Sequence, residues 1–370
     1  MTYNPLHRNS PDTRSMNKIK IITTTLIVSL LAAWLVTFLA LSFENHKYTE
    51  LTEEQLKRAA AYLEGKLTPT PPGWKWSVYS PQPGVNLRSG MIDADNAKGT
   101  VVVVPGFTAT IEMTMREIVK INAAGYRVAS LEYRGQGESY RPLANPEKGY
   151  VESFAQLGEE LATFARQSRV DGKPLFFYAI SKGAHITMRM AGEHNPDADG
   201  YALIVPMIKI STGKSSYSVM RFVAGVFHAI GLGRLYVPGQ AIWPNGELSF
   251  GKPIPCNANP VTAQTREALF ATRENLRTNG VTMSWLHKAT ESTEVLLSPQ
   301  HMAAIHQPVK MFTAGVDELV DTQTAEAFCN SLAQCEVRHF ANSRHCITRE
   351  NFALYDTVIE AAIELFDQQQ

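Results

Sequence analysis

Cysteine is scarce in this chain, four in 370 residues, and Cys256, Cys329, Cys335 and Cys346 form neither a CxxC pair nor the paired His/Cys spacing that zinc sites use. No metal centre is expected. An excess of charge is also missing: 35 basic residues balance 35 acidic ones, and no lysine- or arginine-rich run supplies a local field, which excludes nucleic acid as a partner. No segment repeats at a solenoid period. Hydrophobic residues at 44% and charged residues at 19% are globular proportions and argue against disorder. In an oxidising compartment Cys329 and Cys335 can bridge a helix end to the next strand, with free buried thiols the equal alternative.

Charge is absent altogether from one stretch. Residues 21–43, IITTTLIVSLLAAWLVTFLALSF, are 23 uncharged positions, enough at helical rise to cross a hydrocarbon core of about 30 Å. The competing reading is a cleavable signal peptide, suggested by the small pair Ala40 and Ser42. An apolar signal region is shorter, roughly 7–15 residues, so the length favours an uncleaved anchor. Arg8, Arg14, Lys18 and Lys20 precede the span against Asp12, while Glu44, Glu50, Glu53 and Glu54 follow it beside Lys47. That asymmetry predicts a cytoplasmic tail over 1–20 and everything after residue 44 on the opposite side.

Beyond the span, Thr52-Glu-Glu-Gln55 has capping-box spacing before good helix formers, and the prolines of 68–73 end that helix. The segment 44–73 is therefore a juxtamembrane helix and linker. Apolar runs then alternate with helical stretches: TVVVVPG (100–106), a helix near 112–124, YRVASLEYRG, a helix near 151–168, PLFFYAI, another helix and YALIVPM. Short apolar runs bounded by Gly and Pro with helices between them predict an α/β fold with a mostly parallel sheet covered on both faces. The alternation stops at Pro206 and resumes at PVKMFTAGVD (308–317), followed by a helix, EVRHFA and a last helix near 349–367. The expected organisation is a core over 74–206 and 301–370, interrupted by a mainly helical cap over 207–300. Within the cap, TAQTREALFATRENLRTNG reads as one amphipathic helix.

In an open parallel sheet, ligands sit beyond the carboxyl ends of the strands, so residues placed there are read for chemistry first. Ser181, in Ala179-Ile-Ser-Lys-Gly183 after PLFFYAI, fits a serine on a sharp strand-to-helix turn between small residues, with Ala179 replacing the usual glycine. An ordinary helix N-cap is the bland alternative. The order serine, acid, histidine is completed by Asp317, after the strand KMFTAG, and by His345 in the loop ANSRHCITRE. Asp321 precedes TQTAEAFC and reads as a helix cap, His339 lies within a strand, His185 falls one turn after Ser181, and His301 and His306 follow no strand. Oxyanion donors are expected from the backbone amides of Phe107 and Lys182. The Lys182 side chain is expected to lay its stem on apolar surface and bring its ammonium to water.

With these residues placed, the chain resembles the α/β-hydrolase superfamily, in particular bacterial membrane-associated lysophospholipases and monoacylglycerol lipases. The resemblance covers roughly residues 74–367 and rests on VVVVPGFT, LEYRGQGESYRP, GYVESFAQLGEEL, AISKGAH, VPMIKI and AGVDELVD, with NPVTAQTREALFATRENLRTNGVTMSWLHKA resembling that branch's cap. Pro105-Gly106 stands where the family usually has His-Gly, and Ser-Lys-Gly-Ala where many members have Ser-Met-Gly-Gly. The resemblance implies a serine hydrolase that cleaves carboxylic esters of single-chain glycerolipids without a cofactor, held at the bacterial inner membrane with its catalytic part in the periplasm. Val219, Val223 and Phe227, in the apolar stretch SVMRFVAGVFHAIG, are candidates for acyl-chain contact. A peptidase or amidase on the same fold, and a tethered hydrolase-like module without chemistry, are the alternatives. Sequence leaves the oligomeric state open.

Overall fold

A computed structural model describes residues 13–44, 46–213, 215–244 and 247–370. Most of the tail expected over 1–20, including Arg8 and Asp12, lies outside the described residues. The chain divides into two units, Met1–Asn45 and His46–Gln370. The first contains the helix α1 (Thr13–Ser42), whose portion Lys20–Ser42 is long and apolar enough to cross a membrane.

The second unit is built on an eight-stranded sheet in the order β1-β2-β4-β3-β6-β7-β9-β10. Its strands are β1 (Lys75–Gln82), β2 (Val85–Ile92), β3 (Thr100–Val104), β4 (Arg127–Leu131), β6 (Leu175–Ile180), β7 (Gly200–Ile204), β9 (Val309–Ala314) and β10 (Cys335–Phe340), while β5 (Lys148–Gly149) and β8 (Asn279–Val281) pair separately. From β4 to β10 the main-sheet pairing is parallel, and β1 and β2 add an antiparallel hairpin at one edge. The hairpin was not anticipated. Its signal is the period-two pattern of KWSVY and VNLRSG around Pro83-Gly84.

Strand periodicity explains why β3 is buried throughout. Val102 and Val104 join one apolar cluster, with residues of α4 (Phe154–Ser168) and α5 (Lys182–Glu193), while Val101 and Val103 join the opposite one, with α3 (Met115–Ala123) and α12 (Phe352–Asp367). Each valine therefore meets a helix layer whichever way it points, which is why the strand is a continuous apolar run. A third cluster joins α2 (Glu53–Leu63) to α7 (Thr265–Thr272) around Trp243 and Phe270. At the start of α2, Thr52 and Gln55 form the capping box.

Between β7 and β9 lie α6 (Tyr217–Ala229), α7, β8, α8 (Met283–Leu296) and α9 (Pro299–Ala303). The long helix expected over residues 262–280 ends early: α7 stops at Thr272, and Glu274–Leu276 forms a 3-10 turn before β8. Two arginines explain the break. Arg273 turns out to Glu112 and Glu138, and Arg277 Nε donates 2.9 Å to the Phe270 carbonyl at the helix end. α8 packs on α4 and α5, so this part of the insertion shares the core of the sheet layer. After β9 come α10 (Thr322–Asn330), α11 (Ile347–Glu350) and α12.

All four cysteines are bonded, Cys329 to Cys335 and Cys256 to Cys346. The second pair is separated by 90 residues, a distance over which no local pattern could suggest it.

Candidate active site

Four strands of the parallel part, β3, β6, β9 and β10, with β7 between the second and third, end on the same side of the sheet, and each is followed by a residue singled out from the sequence: Phe107 after β3, Ser181 after β6, Asp317 after β9 and His345 after β10. The parallel order is what brings segments more than 200 residues apart to one place.

Ser181 has φ 52° and ψ −115°, the left-handed region that a residue other than glycine adopts only where its surroundings impose it. Its side chain caps no helix amide, which removes the bland reading of this serine. The turn is held from below, where Ser181 N–H donates 2.9 Å to Ile204 O and Met207 N–H donates 3.1 Å to Ser181 O. Gly183 lets α5 approach β3 closely, since a Cβ there would meet Val104 O at 2.5 Å and Pro105 O at 2.6 Å.

The Ser181 hydroxyl stands 2.8 Å from His345 Nε2, and His345 Nδ1 stands 2.6 Å from Asp317 Oδ2. The Asp317 carboxylate is fully buried, although its backbone is partly exposed, and His345 is buried. The other carboxylate oxygen accepts N–H bonds from Leu319 at 2.8 Å and Val320 at 3.0 Å, which locks the carboxylate in the orientation that presents Oδ2 to the imidazole. Such a chain can pass the hydroxyl proton to Nε2 while the carboxylate holds the proton on Nδ1.

The remaining sequence candidates are placed differently. Asp321 caps α10, accepting from Thr324 N–H at 3.0 Å, and pairs with Lys209 at 2.8 Å. His339 contacts Glu326 at 2.9 Å, and His301 bonds Met188 O at 3.0 Å. His185 is buried beneath the serine turn between Met207 O at 2.7 Å and Ser292 Oγ at 2.6 Å, and burial pulls its pKa down to about 3. A neutral His185 is a packing group. On α6, Val219 and Val223 are exposed, whereas Phe227 turns inward against the main apolar cluster; the helix packs on α8.

Lys182 requires a correction. Its amide, first in α5, has no intrahelical acceptor, but its side chain does not reach water: the residue is 2% exposed. Nζ donates to Gln136 Oε1 at 3.0 Å and lies 5.0 Å from the Tyr133 ring centre and 5.4 Å from that of Phe107. Burial, reinforced by the Arg141 charge, pulls the amine down to about 7. Gln136 Nε2 in turn donates 2.5 Å to Gly106 O and 2.8 Å to Ala109 O, so the lysine supports the loop bearing Phe107 through this glutamine. Sequence reasoning missed Gln136, although it lies within the Arg-Gly-Gln-Gly-Glu-Ser turn.

That turn is anchored by Glu132, which has no exposure and accepts from Ile111 N–H at 3.0 Å and Glu138 N–H at 2.9 Å; burial pushes its carboxyl up to about 7. A side chain at Gly137 would strike this carboxylate, since a Cβ there would lie 2.0 Å from Oε2. Arg88 is the facing cation, 3.3 Å from Glu132 and 2.7 Å from Glu112.

Together the sheet order and the strand-end residues define an α/β hydrolase. Residues 95–351 match the family described as serine aminopeptidase, S33, and the chain belongs to that family. Among curated proteins it is similar to Lysophospholipase L2 of Escherichia coli, 24% identical over 307 residues that cover 78% of this chain and 83% of that protein. Among solved structures it is similar to a soluble variant of monoglyceride lipase from Saccharomyces cerevisiae, with a TM-score of 0.63 and 16% identity over 82% of this chain and 97% of the other. A carboxyl esterase from Bacillus coagulans aligns with a TM-score of 0.60 and 16% identity over 80% of this chain and 99% of the other. The chain is thus an α/β hydrolase of the lipase, esterase and lysophospholipase type.

Proposed function

We propose that this protein is a membrane-anchored serine hydrolase that cleaves the carboxylic ester of a single-chain glycerolipid, a lysophospholipid or a monoacylglycerol. The observation that carries the reading is the continuous contact from Ser181 through His345 to Asp317 at the carboxyl ends of β6, β10 and β9. Ser181 Oγ attacks the ester carbonyl as His345 Nε2 takes its proton, and Asp317 steadies the imidazolium through Nδ1–H. The negative charge that develops on the carbonyl oxygen is met by the amides of Phe107 and Lys182. The tetrahedral adduct collapses by breaking the bond to the alcohol, which leaves with the proton from His345. Water, deprotonated by the same imidazole, then releases the fatty acid and restores Ser181.

The span Lys20–Ser42 supports anchoring, and the two disulfides in His46–Gln370 favour an oxidising compartment for the catalytic unit, in keeping with an orientation that leaves the basic N-terminal flank in the cytoplasm. On this reading residues 44–73 link anchor to enzyme, 74–206 and 301–370 form the hydrolase core, and 207–300 form the cap. The ester specificity rests on the names carried by similar proteins, the lysophospholipase and the monoglyceride lipase.

The deciding experiment is fluorophosphonate labelling of membranes containing the native chain or Ser181→Ala, alongside release of fatty acid from monoacyl lipids. The native chain is expected to label and to turn over ester, and the variant to fold and do neither. Equal turnover by Ser181→Ala, or cleavage of peptide amides in preference to esters, overturns the proposal.

A further inference from the structure

The loop that carries His345 is held on two sides in different ways. Toward the sheet, Val316 N–H donates 3.0 Å to Ser343 O. Past the histidine, a run of contacts leads to one turn of the insertion, residues 254–262. Arg344 Nη1 donates 3.0 Å to Ile254 O, Cys346 N–H donates 2.9 Å to Cys256 O, and Glu350 Oε1 accepts from Ala258 N–H at 3.1 Å. Asn259 Nδ2 donates 3.0 Å to Glu350 O, and Thr262 Oγ1 donates 2.7 Å to Arg349 O. The Cys256–Cys346 disulfide crosses the middle of this contact, one residue from His345. Both cysteines are only partly buried, so the hydrogen bonds beside them compete with water, whereas the covalent bond does not.

We infer that Cys256 and Cys346, as a disulfide, are positioning residues of the active site: the bond clamps the 254–262 turn to the His345 loop and sets the imidazole against Ser181. The inference rests on the reading of His345 as the general base. Its force comes from geometry. Proton transfer needs Nε2 within hydrogen-bond reach of Oγ, here 2.8 Å, and a displacement of about 1 Å costs roughly a hundredfold in rate. Away from the His345 loop the turn is held by a bridge between Ile254 and Asn257, by short bonds around Asn257 and Asn259, and by Tyr62 of α2, whose hydroxyl donates 2.9 Å to Val261 O; none of these reaches the 344–350 segment, so the disulfide is the one covalent tie across the contact. The other disulfide supplies an internal control: Cys329–Cys335 closes a separation of 6 residues between α10 and β10 and makes no bond to the 344–350 segment.

The test compares the native chain with Cys256→Ser/Cys346→Ser and with Cys329→Ser/Cys335→Ser, full length in detergent micelles, on p-nitrophenyl butyrate. Loss of Cys256–Cys346 is expected to lower kcat roughly 10- to 100-fold with KM changed by less than about twofold, while loss of Cys329–Cys335 leaves kcat within about twofold. Because a double-serine chain can fail to fold, the native enzyme is also reduced after folding. Dithiothreitol gives two electrons and two protons to each disulfide it opens and itself becomes a cyclic disulfide; mass spectrometry reports which pair opened, and circular dichroism counts the folded fraction. Reoxidation should restore kcat. A folded enzyme with Cys256–Cys346 open and kcat within about twofold of native overturns the inference and leaves the functional reading intact. A native chain that neither labels with fluorophosphonate at Ser181 nor hydrolyses esters removes both.

Discussion

Replacing Lys182 with methionine changes stability in a way whose sign depends on pH. The native amine is buried with one side-chain acceptor, Gln136 Oε1 at 3.0 Å, and its pKa falls from 10.5 to about 7 through burial, then the Arg141 charge. Between those two values the unfolded chain holds a proton that the folded chain does not, so native stability rises with pH by about 1.4 kcal/mol per pH unit from this group. Over the whole window the gain is on the order of 5 kcal/mol; the penalty is fully present below about pH 7 and gone above pH 10.5. Methionine carries no proton and removes this slope, but it leaves the buried Gln136 oxygen without its donor, at a cost of about 1–3 kcal/mol. Lys182→Met should therefore be more stable than the native chain near neutrality and less stable above pH 10.5. The measurement is urea unfolding of both full-length chains in micelles, followed by circular dichroism across that range. A difference between them that does not change with pH refutes the argument. Because the amide at position 182 remains, ester hydrolysis should persist, lowered by no more than about tenfold as the Gly106–Ala109 loop loses support from below.

Asp317→Asn should lower kcat by about four orders of magnitude through the wrong imidazole tautomer, whereas Asp321→Ala should cost about 1 kcal/mol as a lost cap of α10 with activity retained; exchange of the two phenotypes would reassign the acid. On α6, Val223→Asp places a charge on an exposed position and should selectively slow long-chain monoacyl esters relative to butyryl esters, while Phe227→Asp buries a charge against the main cluster and should chiefly lower Tm. Equal efficiency toward both chain lengths in the native enzyme would remove the acyl-chain role of this helix. Protease added to sealed spheroplasts should digest the region after residue 44, and protection of that region would reverse the orientation.

The alternation of apolar runs and helical stretches, and the position of each chemical residue along it, were legible from sequence alone. Ser181 and Asp317 each follow an apolar run that became β6 or β9, His345 follows the mixed segment EVRHFA that became β10, and a residue's place after a strand is a local property. The same holds for the Thr52 capping box and the Asp321 cap, which need only a few consecutive residues. A strand pattern does not state which strand lies beside it. The order β3-β6-β7-β9-β10, and with it the 2.8 Å and 2.6 Å contacts at His345, exists only once the sheet has formed.

Where distant segments decide a residue's environment, local reasoning failed for identifiable reasons. Lys182 has the composition of a surface residue, but Tyr133, Gln136 and Phe107 arrive from other strand ends and close over it. Residues 273–277 include the helix formers Arg, Glu and Leu, but Arg273 pairs with Glu112, Arg277 Nη1 donates 3.0 Å to Thr49 O, and the chain turns into β8 instead. Cys256 and Cys346 are unremarkable in sequence because the insertion must first fold back over the sheet before their Cα atoms come within 5.3 Å. Sequence by itself determined the apolar span, the α/β class and the three candidate side chains, since backbone periodicity and strand-end position are properties of short stretches. Tertiary structure alone decided the burial of the lysine, the truncated helix and the clamp beside His345, because each depends on which remote surface covers a residue and excludes water from it.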